Sequence, residues 1–236
     1  MASVTTTASV DTARVRFGGG DRSNQGVSDF ATRLRRSRLG LIVALTAVVM
    51  IFVSYSSAYV VRQGLPTLDP RTGTLVHDWL PLQLPNFLLV NTFVLLVSTL
   101  AMELARRQAL RDALQASSNP LHPLTRGPPD EIPWLGLTAV LGLCFLAGQW
   151  LVWRELGARG FYLSTSPSSS FFYVLTGTHG VHLLGGIVAL LAASAASLFF
   201  RQSATARGIL VDVTAWYWHF MTFLWVYLLC LLEFAR

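Results

Sequence analysis

The chain has 236 residues, 53% of them hydrophobic and only 13% charged. That charged share is about half of what a soluble domain carries, which argues against an ordinary globular enzyme and for a membrane protein. The net charge of +6 comes from eighteen Arg with no Lys. Most of it lies outside the apolar stretches, so membrane orientation accounts for it better than nucleic-acid binding.

In chain order, residues 1–38 come first. They are rich in Ser, Thr, Gly and Arg, include the glycine run 18–20, and read as a disordered basic N-terminal tail. Asp11, Asp21 and Asp29 do not suit an acid-poor organellar presequence, and the first apolar run is too long and too late for a cleavable signal. Five apolar runs then reach the ~20 residues a helix needs to cross a bilayer. They are residues 39–61, 84–104, 134–153, 171–200 and 209–234. An open strand could not satisfy its backbone in lipid. The predicted fold class is therefore all-α, a polytopic membrane bundle of five transmembrane helices. The fourth run is longer than one bilayer requires and should tilt or project. Trp134, Trp150 and Trp153 fall near predicted ends, as interfacial anchors should. Between the second and third runs, residues 117–133 contain five prolines and read as a stiff hinge. Cys144 and Cys230 lie in different apolar runs and read as small buried residues rather than a disulfide or metal site.

Arg sidedness fixes the predicted orientation. With a cytoplasmic N-terminus, the inside segments 1–38, 105–133 and 201–208 hold thirteen Arg against five outside. That is the positive-inside pattern, and Arg33, Arg35, Arg36 and Arg38 reinforce it beside the first run.

Ionisable groups at membrane depth are costly, and by default each one is a functional hypothesis. His179 and His182 stand at i and i+3 in the fourth run, so they share a helix side. They read as a hydrogen-bonded packing pair, as metal or haem ligands, or as proton-handling groups; packing weighs most. Asp212 and His219 lie seven residues apart in the fifth run, two turns along one side, and either pin helices together or move protons. Asn86, Asn91 and Gln149 are candidates for bonds between helices. Glu103 is read as a solvated partner of Arg106 and Arg107 at i+3 and i+4. The sequence contains no phosphate-binding glycine loop, Ser–His–Asp arrangement, CxxC motif or pair of catalytic carboxylates.

Two ordered motifs carry a family resemblance. Thr-Gly-x-His-Gly-x-His stands at residues 176–182, and an acid, Asp212, precedes Ala-Trp-Tyr-Trp-His-Phe at residues 215–220. With the runs LLVNTFVLLVSTLAMELARR and GLCFLAGQWLVW, they resemble the later helices of cytochrome c oxidase subunit III in order and spacing. The likeness covers residues 39–235. It resembles the five-helix form of the family, beginning at the third helix of the seven-helix form. Three departures stand out. The buried Glu of that helix is missing, since residues 39–61 hold no carboxylate. Thr222 stands where an Asp is frequent, and Asp212 stands where Glu is usual.

The resemblance implies an accessory subunit, without a cofactor of its own, of a haem-copper terminal oxidase of the aerobic respiratory chain. Haems and copper would sit in partner subunits I and II, which reduce oxygen using electrons from cytochrome c or quinol. It also implies phospholipid bound between helices, support of proton uptake, and a bacterial cytoplasmic membrane. The two helices missing relative to the long form would come from a small subunit or from fused spans of the catalytic chain. No catalytic or metal-binding residue is expected. His179, His182, Asp212, Trp216, Trp218 and His219 are the candidates for contacts between helices or with lipid. The competing reading is a cytochrome b-like redox anchor holding haem through His179 and His219. A transporter would want inverted repeats or broken helices, and neither is visible.

Overall fold

The computed structural model describes residues 11–68, 73–76, 79, 85–118, 132–199 and 203–234, with side chains except at 11–24, 68, 76 and 196–199. Five long helices carry it: α1 (Asp11–Gly64), α2 (Phe87–Ser118), α3 (Ile132–Ala158), α4 (Pro167–Phe199) and α5 (Ala204–Phe234). Between α1 and α2, β1 (Thr67–Leu68) pairs antiparallel with β2 (Leu75–Val76), Thr67 opposite Val76 and Leu68 opposite Leu75. All five helices contain a stretch long and apolar enough to cross a membrane. The chain is an integral membrane protein of the all-α class, as its sequence predicts.

The helices outrun the apolar runs, and the reason is packing beyond the hydrocarbon. The sequence places a disordered tail up to residue 38, but α1 is helical from Asp11. Phe30 of this extension is buried. A Cβ on Gly26 would lie 2.6 Å from the Ser117 carbonyl oxygen, so α1 touches the backbone of α2 there. Residues 105–118, read as the start of a loop, continue α2. Ala105, Ala109, Ala113 and Ser117 are buried at every fourth position, one side of a helix. Against that small-residue stripe sits Gly208 of α5, where a Cβ would meet the Ala113 Cβ at 2.6 Å and the Ala109 oxygen at 3.1 Å. Small residues allow such close approach where lipid offers little hydrophobic drive for association. Residues 1–10 and 119–131, most of the predicted hinge, lie outside the described residues.

The layout is asymmetric. α2 packs on α3 and α5, α4 packs on α3 and α5, and α1 lies outermost against α2, α4 and α5. In its most apolar window α1 is 11% buried, against 39–44% for the other spans. Trp218, Trp225, Phe145 and Phe172 are the large side chains at the centre. Cys144 and Cys230 are exposed, on outward-facing turns of α3 and α5, and not buried as their apolar surroundings suggest. Ser166 opens α4: its hydroxyl accepts from the Ser169 N–H at 3.3 Å, while the Ser169 hydroxyl accepts from the Ser166 N–H at 3.2 Å. Such reciprocal capping satisfies N–H groups that a helix start leaves unpaired.

Candidate functional site

Residues 212–225 of α5 distribute their polar atoms to three different neighbours. Val211, Ala215, Trp218, Thr222 and Trp225 form the buried stripe. Trp218 donates its indole N–H to the Ser98 hydroxyl at 3.0 Å, and Trp225 donates to the Thr92 hydroxyl at 2.9 Å. The Thr222 hydroxyl meets that of Thr99 at 2.7 Å. All three bonds join α5 to α2. Tyr217 turns towards α4, where its hydroxyl donates to the His182 carbonyl at 2.8 Å. Its ring occupies the space above Gly186, where a Cβ would be 2.9 Å away.

A chain of charges closes the Arg-rich end. Asp212 is wholly buried. Its two oxygens accept from Arg38 Nε at 2.7 Å and Nη2 at 2.8 Å, a bidentate pair, and from Arg106 Nη1 at 3.1 Å. Arg106 also donates through Nε and Nη2 to Glu103 at 2.7 and 2.9 Å, and Arg107 Nε reaches the same carboxylate at 2.8 Å. His219 Nε2 lies 3.2 Å from Glu103 Oε2. The network runs Arg38–Asp212–Arg106–Glu103–His219 and crosses α1, α2 and α5. Two carboxylates face two partly buried guanidiniums, so the inner part is charge-balanced. Bidentate geometry of this kind gives strong, orienting ion pairs.

Several sequence readings change on this geometry. Asp212 and His219 share one side of α5 but do not pair directly, because Arg106 and Glu103 stand between them. Glu103 is not a merely solvated partner: its side chain is 23% exposed and it also holds His219. Arg38 and Arg106 read from sequence as an orientation charge and a Glu103 partner, not as the partners of Asp212. The available signal was that each stands where its apolar run meets the Arg-rich side, the end at which α5 begins. Trp216 is 48% exposed, with the Arg38 guanidinium 5.7 Å from its ring centroid, at cation–π range. Trp218 and His179 are wholly buried, so neither can contact lipid. Gln149, read as bonding a neighbour, has no partner on either amide atom among the described residues. Asn91 does make its predicted bond, donating to the Phe145 carbonyl at 3.1 Å.

The histidine pair diverges. His179 lies among the rings of Phe145 and Trp225, with centroids 6.1 and 5.1 Å away. His182 is partly buried, places Nδ1 2.8 Å from the Thr178 carbonyl of its own helix, and stands edge-on to Phe52 of α1. The haem-anchor alternative fares no better. His179 stands level with Trp225, six residues or about 9 Å along α5 from His219, and His219 is turned to Glu103. The two imidazoles cannot face one iron. Among the described residues no three His, Cys, Asp or Glu gather into a metal-binding group.

Fold and site together define a polytopic α-helical membrane protein whose α5 signature side chains join its own helices. The sequence profile of "Cytochrome c oxidase subunit III" matches residues 23–234, and the chain belongs to that family. Its relatives include cytochrome c oxidase subunit 3 of Synechocystis, 29% identical over 81% of this chain and 72% of that protein. The subunit 3 of the opossum Didelphis virginiana is 29% identical over 80% of this chain and 61% of its own. A probable subunit 3 of Mycobacterium bovis is 36% identical over 44% of this chain. The match spans about half the length of the mycobacterial relatives. Five spanning helices and bacterial relatives make the chain an integral protein of a bacterial cytoplasmic membrane.

Proposed function

We propose that this chain serves as the accessory, cofactor-free subunit III of a haem-copper terminal oxidase, supporting oxygen reduction to water by packing on the catalytic subunit and binding phospholipid. The observation that carries this reading is the fate of the signature polar groups. Asp212, Tyr217, Trp218 and His219 each close onto another helix of the same chain, so their contacts serve packing between helices. Subunits I and II hold the haems and copper in this reading.

Two surfaces support the partner assignments. The apolar part of α1 is the least covered of the five spans, and a helix pair from a small subunit or from the catalytic chain would cover it. Exposed Trp216 under Arg38 suits a lipid headgroup boundary, with an aromatic body in the acyl region and a cation at the phosphate level. Proton uptake is supported indirectly, by keeping the catalytic subunit's entrance in place over many turnovers.

The test is to delete the gene for the chain and purify the remaining oxidase. Haem and copper spectra should be unchanged, oxygen consumption should start near its usual rate, and activity should then decay faster with turnover. Loss of a haem or copper signal from an otherwise assembled oxidase would overturn the proposal.

A further inference from the structure

Gln149 on α3 and His179 on α4 are buried side chains whose polar atoms the fold leaves unused. Gln149 is 3% exposed and His179 0%. The Gln149 amide nitrogen and oxygen and both His179 ring nitrogens have no hydrogen-bond partner among the described residues. Burial within the chain also means that no other subunit can reach them.

Their positions converge on one seam. Phe145, one turn before Gln149, stands edge-on to the His179 ring. Trp153, one turn after Gln149, donates its indole N–H to Thr176, three residues before His179. Gln149 thus lies between two residues of α3 that both touch the side of α4 carrying Thr176 and His179. α3 and α4 are in side-chain contact on both sides of His179. A Cβ on Gly177 would find its nearest neighbour, Trp153, at 3.6 Å, and one on Gly180 would find Leu146 at 3.8 Å.

We propose that the Gln149–His179 seam is an internal hydration site, holding one or two water molecules that bridge the carboxamide to the imidazole. The chemistry matches on both sides. A carboxamide offers donors and an acceptor, a neutral imidazole offers one of each, and water supplies both complements. Water buried in proteins bridges groups of this kind that are otherwise unsatisfied. Phe145 and Trp225 wall the His179 side, so water held there would exchange slowly with bulk. It would act as a fixed polar rivet between α3 and α4, helices that share fewer polar ties than α2 and α5.

Two measurements test this. In a high-resolution structure of the full chain in its native complex, density should appear within hydrogen-bond distance of both Gln149 and His179. A direct Gln149–His179 bond, or both side chains turned to other protein groups, would overturn the proposal. In the second, Gln149→Leu and His179→Phe are compared singly and together by thermal unfolding of the complex. Each single change should lower the midpoint by stranding the water and the remaining partner. The double change, which removes the need for water, should lower it by less than the sum of the two. Strictly additive shifts would overturn the proposal.

Discussion

Asp212 has no exposed surface and accepts three guanidinium N–H groups on its two oxygens. Asp212→Ala would leave Arg38 without its counter-charge beside Arg106, which keeps only Glu103. Breaking a buried ion pair from one side costs about 3–5 kcal/mol, and the low end applies because the arginine side chains are 35% and 24% exposed. His219→Ala should cost at most about 1 kcal/mol, since Glu103 keeps Arg106 and Arg107. Thermal unfolding in detergent should rank the two variants in that order; equal losses would mean that the charge chain does not tie α1 to α5. A hydrophobic carbodiimide gives a second check. Residues 39–61 contain no carboxyl group, and Asp212 is enclosed by guanidiniums, so peptide mapping should find neither modified in the intact protein. Adducts on Asp212 would show that the enclosure opens. At this scale the sequence was legible in part. It singled out Asp212, His219 and the tryptophans, but not their partners, because Arg38 is 174 residues distant and only the assembled bundle brings it near. His179 and His182 show the same limit: three residues apart, about 60° around the helix, they divide between the core and the edge beside α1.

The five helices were legible from hydropathy, while their ends were not. Hydropathy reads the part of a helix that faces lipid; it is blind to the part held by other helices beyond it. Ala105, Ala109 and Ala113 were the available signal for the α2 extension, a small residue every fourth position. Gly208→Leu should therefore be among the most damaging single changes on α5, because the new side chain would meet the Ala113 Cβ and the Ala109 backbone, neither of which can move away cheaply. Overpacking of this kind costs about 1–3 kcal/mol. Gly180→Ala on α4 is the matched control, since its nearest neighbour is the flexible end of Leu146 at 3.8 Å. It should be neutral or slightly stabilising. Comparable losses from both would mean that the small-residue stripe does not set the α2–α5 spacing.

For the molecule as a whole, the distribution of Arg predicts a direction, and the packing at the Arg-rich end gives a physical reason to expect it. Thirteen of eighteen Arg fall in the segments that a cytoplasmic N-terminus would place inside. The structure gathers that end into more than a charge excess: α1, α2 and α5 continue past the apolar region there and are tied by Arg38–Asp212, Arg106–Asp212 and Arg207–Asp112. An end built from such pairs, with Gly26 and Gly208 packed against α2, would resist transfer through a bilayer, because each charge would have to cross the hydrocarbon. The opposite end carries the short β1–β2 pair and the turn around Gly160, with Arg154 and Arg159 among its few cations. Orientation can be read with single thiols in a background where Cys144 and Cys230 are replaced by Ser. Ser118→Cys, at the exposed end of α2, should react with a membrane-impermeant maleimide only after the cytoplasmic side is opened. Ser164→Cys, exposed between α3 and α4, should react in intact cells. The reverse pattern would invert the molecule and place the Arg38–Asp212 network on the outer face. Reaction of both thiols in intact cells would contradict an odd number of crossings between those positions, and with it the spanning role of α3.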